Sequence, residues 1–326
     1  MYLVTGGAGF IGSNILAALE KRNDGSLVIC DRLCNDDKWR NISKREISDI
    51  VHPKKMFLFL EANKTRIKAI IHMGAISNTA ENDVDLIIAN NFNLSNDLFI
   101  WCTQNHVRII YASSASTYGD GAQGFEDNSS NLSLLNPLNA YGWSKHLFDR
   151  LIVNNNKMNK QMPPQWVGLK FFNVYGPNEY HKSNQQSLVA QIYSHAKINE
   201  PAQLFRSYHC DYQDGGQMRD FIWINDVVDV IMWLLDHQNV NGLFNLGSGK
   251  SRTFIDLALT VYHALNKEPN IKYIDIPLNI RHNYQYFTKA SMNRLFNVGY
   301  TKSFTSLEDG VNDYVVNYLN AKDRYI

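Results

Sequence analysis

No charge of either sign dominates this chain: 32 lysines and arginines stand against 31 aspartates and glutamates, a net of +1 over 326 residues. That balance lacks the basic excess of a nucleic-acid binder and the like-charge blocks of an interaction tail. Cysteine is scarce. Cys30, Cys34, Cys102 and Cys210 show no C-x-x-C spacing, which argues against a disulfide scaffold and fits free thiols in a reducing cytoplasm. Sequons such as Asn128-Ser129-Ser130 carry no meaning in that compartment. Long apolar runs are missing too. The most apolar stretch, residues 221–235, is broken by Asn225, Asp226 and Asp229, so no segment is expected to span a membrane. The opening Met1-Tyr2-Leu3-Val4-Thr5 lacks the basic region and long apolar core of a secretory signal. Internal repeats and low-complexity tracts are absent as well. The expectation is a cytoplasmic globular protein with neither nucleic acid nor membrane as partner.

With 44% hydrophobic residues, the chain can bury a large core as one big α/β domain or two coupled ones. Residues 2–5 read as a strand that runs into Gly6-Gly7-Ala8-Gly9-Phe10-Ile11-Gly12, and a helical pattern follows through Leu16 and Leu19. Strand, glycine turn and helix in that order form a cradle for a pyrophosphate: the glycines allow a tight turn and close backbone approach, and the helix N-terminus attracts the anion. Gly6, Gly9, Phe10, Ile11 and Gly12 are therefore candidate cofactor contacts. The second strand, 27–30, ends at Asp31, where an acidic residue commonly holds the adenosine ribose. Arg32 and Lys38 follow closely. Cations there favour a 2′-phosphate and thus NADP over NAD, unless this is simply a solvated loop of mixed charge.

Further strands are read at 68–72, 108–112 and 166–172, with a helix over 85–102 that carries Asn90 and Asn91. The segment Gly74-Ala75-Ile76-Ser77 after 68–72, small at three of its four positions, leaves room for a cofactor. Alternating short apolar strands and helices imply a parallel, doubly wound α/β sheet, whose ligands belong at the carboxyl ends of the strands. Gly6, Asp31, Gly74 and Ser114 all fall at such ends, which argues for one site. After residue 177 the alternation stops. Polar segments at 178–186 and 206–219 are expected to be irregular, between helices at 187–197, 226–235, 252–265 and 306–320. We expect a sheet domain over 1–172 plus about 220–248, and a smaller discontinuous α+β lobe over about 173–219 and 249–326.

Within the sheet domain lies Tyr141-Gly142-Trp143-Ser144-Lys145. On a helix, Tyr141 and Lys145 share one face. A phenol is protonated at neutral pH, and an ammonium beside it favours the phenolate, which makes the tyrosine a usable base. Ser114 can bond the same substrate oxygen. Alone, a Tyr-x-x-x-Lys spacing is also what any amphipathic helix produces; its company gives it weight.

That company is specific. The T-G-G-x-G-F-I-G opening, A-S-S-A-S-T-Y-G at 112–119, the Tyr141/Lys145 pair, F-N-V-Y-G-P at 172–177 and R-D-F at 219–221 follow in order over nearly the whole length. The chain resembles the extended short-chain dehydrogenase/reductase family of nucleotide-sugar epimerases and dehydratases. Within it, P-L-N-A-Y-G-W-S-K-H-L-F-D at 137–149, N-V-Y-G-P-N-E-Y-H-K at 173–182, L-F-N-L-G-S-G at 243–249 and Y-Q-Y-F-T at 284–288 are similar to the branch that inverts carbon six of an ADP-heptose for the lipopolysaccharide core. The resemblance implies a Rossmann domain, bound NADP with NAD as the alternative, an ADP-heptose substrate, and a homo-oligomer, a pentamer in that branch. It implies oxidation of the carbinol to a ketone and reduction on the other face, with Tyr141 and Lys182 as the two bases. Lys145 would hold the nicotinamide ribose and polarise Tyr141, and Ser114 would orient the substrate oxygen. Asn91, Val174 and Lys182 join the cofactor contacts, and Asn173, Asn184, Gln191, Phe205, Arg219 and Tyr284 the substrate contacts.

Several of these positions also have plainer readings. Asn173 can be a turn residue, Arg219 the partner of Asp220 or Asp226, and Tyr284 and Phe205 core aromatics. Lys170 stands where the family carries arginine, and Gln191 lies near a position expected to be histidine; both put sugar-nucleotide contacts in question. The turn at Ala115-Ser116-Thr117 has no carboxylate, which argues against a 4,6-dehydratase. A UDP-hexose 4-epimerase stays open, as does a non-catalytic nucleotide sensor, though the latter would not need Tyr141 and Lys145. His209-Cys210-Asp211 are three adjacent residues that do not converge like a zinc site, so no metal is assigned.

Overall fold

The structure, a computed structural model, describes residues 1–34, 37–281 and 284–326, with the side chains of Asn184 and Asn279 outside the description. Short runs rich in valine, isoleucine and leucine form the first half: β1 (Tyr2–Thr5), β2 (Leu27–Cys30), β3 (Asp49–Val51), β4 (Ala69–His72), β5 (Arg108–Ser114) and β6 (Trp166–Phe171). Then come β7 (Asn173–Tyr175), β8 (Ala202–Phe205), β9 (Met218–Trp223), β10 (Gly242–Leu246), β11 (Ser251–Thr253) and β12 (Ile271–Ile274). Seven of them make one sheet in the order β10-β6-β5-β4-β1-β2-β3, every pairing parallel. All residues of β1, β2, β4, β6 and β10 are buried. Helices therefore cover both faces, as a parallel sheet requires. The strand order reverses between β1 and β4, which opens a crevice at the carboxyl ends there. The α/β doubly wound architecture read from the sequence is the one observed.

Local chemistry sets the elements that carry the site. The helix Phe10–Arg22 starts at Gly9 and ends on Asn23 in the left-handed region at φ 50°. The helix Ala140–Lys157 is capped by Asn139, whose side chain accepts from Gly142 N at 2.8 Å. Gly142 is required there: a Cβ would lie 2.7 Å from the Ser116 carbonyl oxygen, so only glycine lets this helix close onto the turn after Ser114.

Beyond residue 172 the remaining strands form two small sheets, β11-β9-β7 and β12-β8. Here the expectations needed correction. The segment 206–219 is not irregular to its end, because β9 begins at Met218 and pairs in parallel with β7. Arg252 lies in β11 rather than in a helix, and the helix starts at Phe254 behind the Thr253 capping box. The helix expected over 85–102 divides into Val84–Ile87, a π-helical turn Ile88–Asn93 and Leu94–Gln104. The wider turn accommodates Asn91, whose amide bridges Ile76 and Ser144. Strands β3, β8 and β12 and the helix Met56–Asn63 went unread because each is short and without clear periodicity. All four cysteines are free. Among the described residues no helix is long and apolar enough to cross a membrane.

Candidate active site

At the strand-order reversal, Gly6 turns with φ +64°, and a Cβ there would lie 2.7 Å from Gly74 N. A Cβ at Gly12 would lie inside contact distance of the Gly6 carbonyl oxygen and 2.8 Å from Gly7 Cα. The two glycines thus bring the β1 loop, the β4 loop and the N-terminus of Phe10–Arg22 to backbone contact. Such a cradle fits a dinucleotide pyrophosphate and admits no side chain. Asp31 closes it: its carboxylate accepts from Ala8 N at 2.9 Å and from Arg32 N at 2.7 Å, and pairs with Lys38 Nζ at 2.7 Å. Behind the cradle, His72 Nδ1 lies 2.6 Å from Thr5 Oγ1, which accepts from Gly74 N at 3.0 Å, and His72 Nε2 lies 2.9 Å from Ser95 Oγ. Burial and the Lys145 charge push His72 down to about 3, so it is neutral and serves as a fixed hydrogen-bonding spacer.

A cleft of about 620 Å³ runs from this cradle past Ala112 and Ser114 to Phe172. Gly6, Gly9, Phe10, Ile11, Gly12, Asp31, Lys38, Gly74, Ala75, Ser77, Ser114, Tyr141, Lys145, Asn173, Val174 and Lys182 all line it. The sequence therefore named most of this wall. Three expected cofactor residues stand apart. Asn91 is fully buried, its amide engaged with Ile76 and Ser144, so it props the β4 loop from behind. Ile76 takes the other side of that bracket, and the Arg32 side chain is not part of the described wall.

Tyr141 bonds Ser114, and Lys145 is 3% exposed on the same helix face. Burial lowers Lys145 to about 8, with Asp149 opposing. A neighbouring ammonium favours the phenolate, while burial raises Tyr141 and the Ser114 hydrogen bond pulls the other way. Desolvation of the phenolate outweighs the Ser114 hydrogen bond, and the Asp149 charge adds to the rise.

Lys182 reaches the cleft from the short turn Tyr180–Gln185. Its ammonium lies 4.8 Å over the Phe10 ring. Burial lowers its pKa, against the pull of Glu179. Glu179, which the sequence reading passed over, is 1% exposed and raised by burial. It accepts from Ser187 and from Tyr314 OH at 2.9 Å, so it holds the turn that carries Lys182. His181 lies 3.1 Å from the Asn41 amide, which also donates to Ala8 O at 2.9 Å. The Lys182 turn is thereby tied to the glycine loop. Asn41 gave no signal in the sequence, because its partners are 33 and 140 residues away.

Asn173, Val174, Ser187 and Leu188 also belong to a second pocket of about 380 Å³, lined further by Gln191, Phe205 and Tyr284. The Phe205 and Tyr284 rings meet edge to face at 5.7 Å. The Arg219 guanidinium lies 5.5 Å over the Tyr284 ring and donates to the carbonyls of Met218 and Gln285. It forms no ion pair among the described residues. Asp220 instead binds the backbone of Ser248, Gly249 and Ala290, and Asp226 binds Thr305, so the alternative pairing of Arg219 does not occur. A buried guanidinium without a carboxylate suits an anionic ligand. The side chain of Asn184 lies outside the described ones. Lys170, questioned as a sugar contact, is wholly buried and paired with Asp149. His209, Cys210 and Asp211 bring one donor atom each within 4.8 Å, closer than expected, yet all three are exposed.

The model of the NAD dependent epimerase/dehydratase family matches residues 2–247. The chain belongs to this family. A nicotinamide cofactor goes with that membership and with the cradle. The chain is similar to the ADP-L-glycero-D-manno-heptose-6-epimerase of Nitratidesulfovibrio vulgaris (strain DP4), with 44% identity over all of both chains. Its counterpart in Fusobacterium nucleatum subsp. nucleatum is 43% identical, again over all of both chains. The crystal structure of Helicobacter pylori ADP-L-glycero-D-manno-heptose-6-epimerase superposes with a TM-score of 0.78 at 25% identity, covering 97% of this chain and 95% of that one. As a member of the epimerase/dehydratase family, the chain carries the cradle and the Tyr141–Lys145 helix within the matched region, while Tyr284 lies beyond it.

Proposed function

We propose that this family member is an ADP-heptose 6-epimerase, converting ADP-D-glycero-D-manno-heptose to its L-glycero epimer in the supply of lipopolysaccharide core heptose. The observation that carries the reading is the presence of Lys182 in one cleft with Ser114, Tyr141 and Lys145. Two proton-handling groups come from different elements, and a second pocket adjoins them. Inverting a carbinol through a ketone presents its oxygen in two orientations and calls for a base at each. When bound, the nicotinamide supplies a reversible hydride acceptor beside carbon six. Tyr141 takes the hydroxyl proton while Ser114 holds the oxygen, and Lys145 orients the cofactor ribose. Lys182 serves the oxygen in its other orientation; burial lowers its pKa toward the working range. Arg219 holds the diphosphate, and Phe205 and Tyr284 pack the nucleotide.

NADP is the proposed form of the cofactor. Lys38 stands on the cleft wall against Asp31, where a cation meets a 2′-phosphate. The sheet domain binds this cofactor, the C-terminal lobe binds the sugar nucleotide, and the active protein is a homo-oligomer, a pentamer by resemblance. The deciding test is incubation with ADP-D-glycero-D-manno-heptose without added cofactor, followed by proton NMR at carbon six. Conversion to a mixture of epimers supports the reading, and no conversion even with added NADP+ sinks it. A UDP-hexose 4-epimerase is the second reading; there Lys182 would be dispensable.

A further inference from the structure

Tyr141, Lys145 and Asp149 succeed one another at four-residue intervals on Ala140–Lys157 and share its sheet-facing side. Asp149 meets Lys170 of β6 at 2.7 Å, and both side chains are 0% exposed. The carboxylate also accepts from Ser113 Oγ at 2.6 Å and from Tyr111 OH at 3.3 Å, both on β5. Lys170 gives a second hydrogen bond to Thr117 Oγ1 at 2.7 Å, and Thr117 donates onward to Ser114 O at 2.8 Å. One buried pair therefore ties the Tyr141 helix to the strand that ends in Ser114 and to the turn behind it. Stability alone does not account for such a pair, since apolar residues fill similar space as well or better.

We infer that Lys170 and Asp149 are positioning residues for the reaction, holding Ser114, Tyr141 and Lys145 in register and keeping the ground beneath them electrically neutral. This rests on the proposed roles of Tyr141 and Lys145. Asp149 alone would favour protonated Tyr141 and Lys145; Lys170 alone would disfavour both. The other charged or titratable groups around them are His72 on β4, Tyr111 on β5, Tyr118 in the turn, His146 and Arg150 on the helix, and Glu179 and Lys182 across the cleft. Tyr111, Tyr118 and His146 also feel Asp149 or Lys170, but none of the group is itself replaced in a variant at 149 or 170. At an effective dielectric of about 20, an unbalanced charge at Asp149 shifts Lys145, one turn away, by roughly two pH units and Tyr141, two turns away, by about one.

The test is the pH dependence of kcat for wild type, Lys170→Gln, Asp149→Asn, the double variant, Lys170→Arg and Tyr141→Phe. The ascending limb should move to higher pH in Lys170→Gln and to lower pH in Asp149→Asn. It should return to the wild-type position in the double variant and stay there in Lys170→Arg. A purely structural pair would lower activity without opposite shifts. Limbs that do not move in the single variants overturn the inference, as does a displaced limb in the double variant, which removes no net charge and serves where a single variant does not fold. If Tyr141→Phe keeps full turnover, the role of Tyr141 fails; unmoved limbs beside an inactive Tyr141→Phe sink this inference alone.

Discussion

Gly12→Ala puts a methyl group where the structure leaves no room, and its cost can be worked out. Gly12 is helical, and in a helix alanine is favoured over glycine by about 1 kcal/mol, so intrinsic propensity predicts a gain. Against this, the added Cβ would sit 2.8 Å from Gly7 Cα and 2.9 Å from Gly6 C, where carbon atoms are comfortable at about 3.5–4.0 Å. These are backbone atoms and cannot rotate away. The loop must open by something under about 1 Å, at a typical overpacking cost of ~1–3 kcal/mol. Opening also strains the bond from Gly9 N to Gly6 O at 3.0 Å, worth about 1 kcal/mol. If the cost falls on the cradle, cofactor binding weakens by ~2 kcal/mol, roughly thirtyfold. The assay is calorimetric titration of nucleotide-free wild type and Gly12→Ala with NADP+ and with NAD+, beside thermal unfolding of both proteins. An unchanged Kd with a lowered Tm would refute the argument, because the glycine would then serve only packing.

The other predictions are more direct. Lys182→Met should abolish epimerisation, by at least about a hundredfold in kcat, while NADP+ titration stays within a few-fold of wild type; a variant with near-normal kcat would favour the 4-epimerase reading. Arg219→Lys keeps the charge but loses the fork, so KM for the sugar nucleotide should rise by roughly tenfold with little change in kcat. Lys38→Ala should weaken NADP+ binding by about tenfold and leave NAD+ nearly unaffected; equal losses would remove the 2′-phosphate assignment. Lys145 falls from 10.5 to about 8 in the fold, so its charged form is penalised there. The penalty is full below about pH 8 and gone above the unfolded value. Urea unfolding should therefore show Lys145→Met losing about 3 kcal/mol of relative advantage over wild type as pH rises through that window, and a constant difference would contradict the burial.

Local spacing carried much of this protein into view. Gly6 and Gly12 announce a loop that must approach its neighbours closely, Asp31 marks the end of the second strand, and Tyr141 and Lys145 stand one helical turn apart. Each of these depends on residues near in sequence, where periodicity and turn chemistry are legible. Asn91 misled because a cleft contact and a brace one layer behind look alike in sequence. Lys170 misled for the same reason: its strand position was clear, its partner 21 residues away was not.

By itself, then, the sequence determined the parallel α/β sheet, the cradle and the Tyr141 helix, since short apolar strands and glycine turns leave few other solutions. Only the tertiary structure decided that Lys182 lines the same cleft, that Arg219 stands beside the second pocket without a carboxylate among the described residues, and that burial raises Tyr141. Those outcomes depend on desolvation and on contacts between distant segments. Both are properties of packing, set by which atoms exclude water from which, and no residue spacing encodes them.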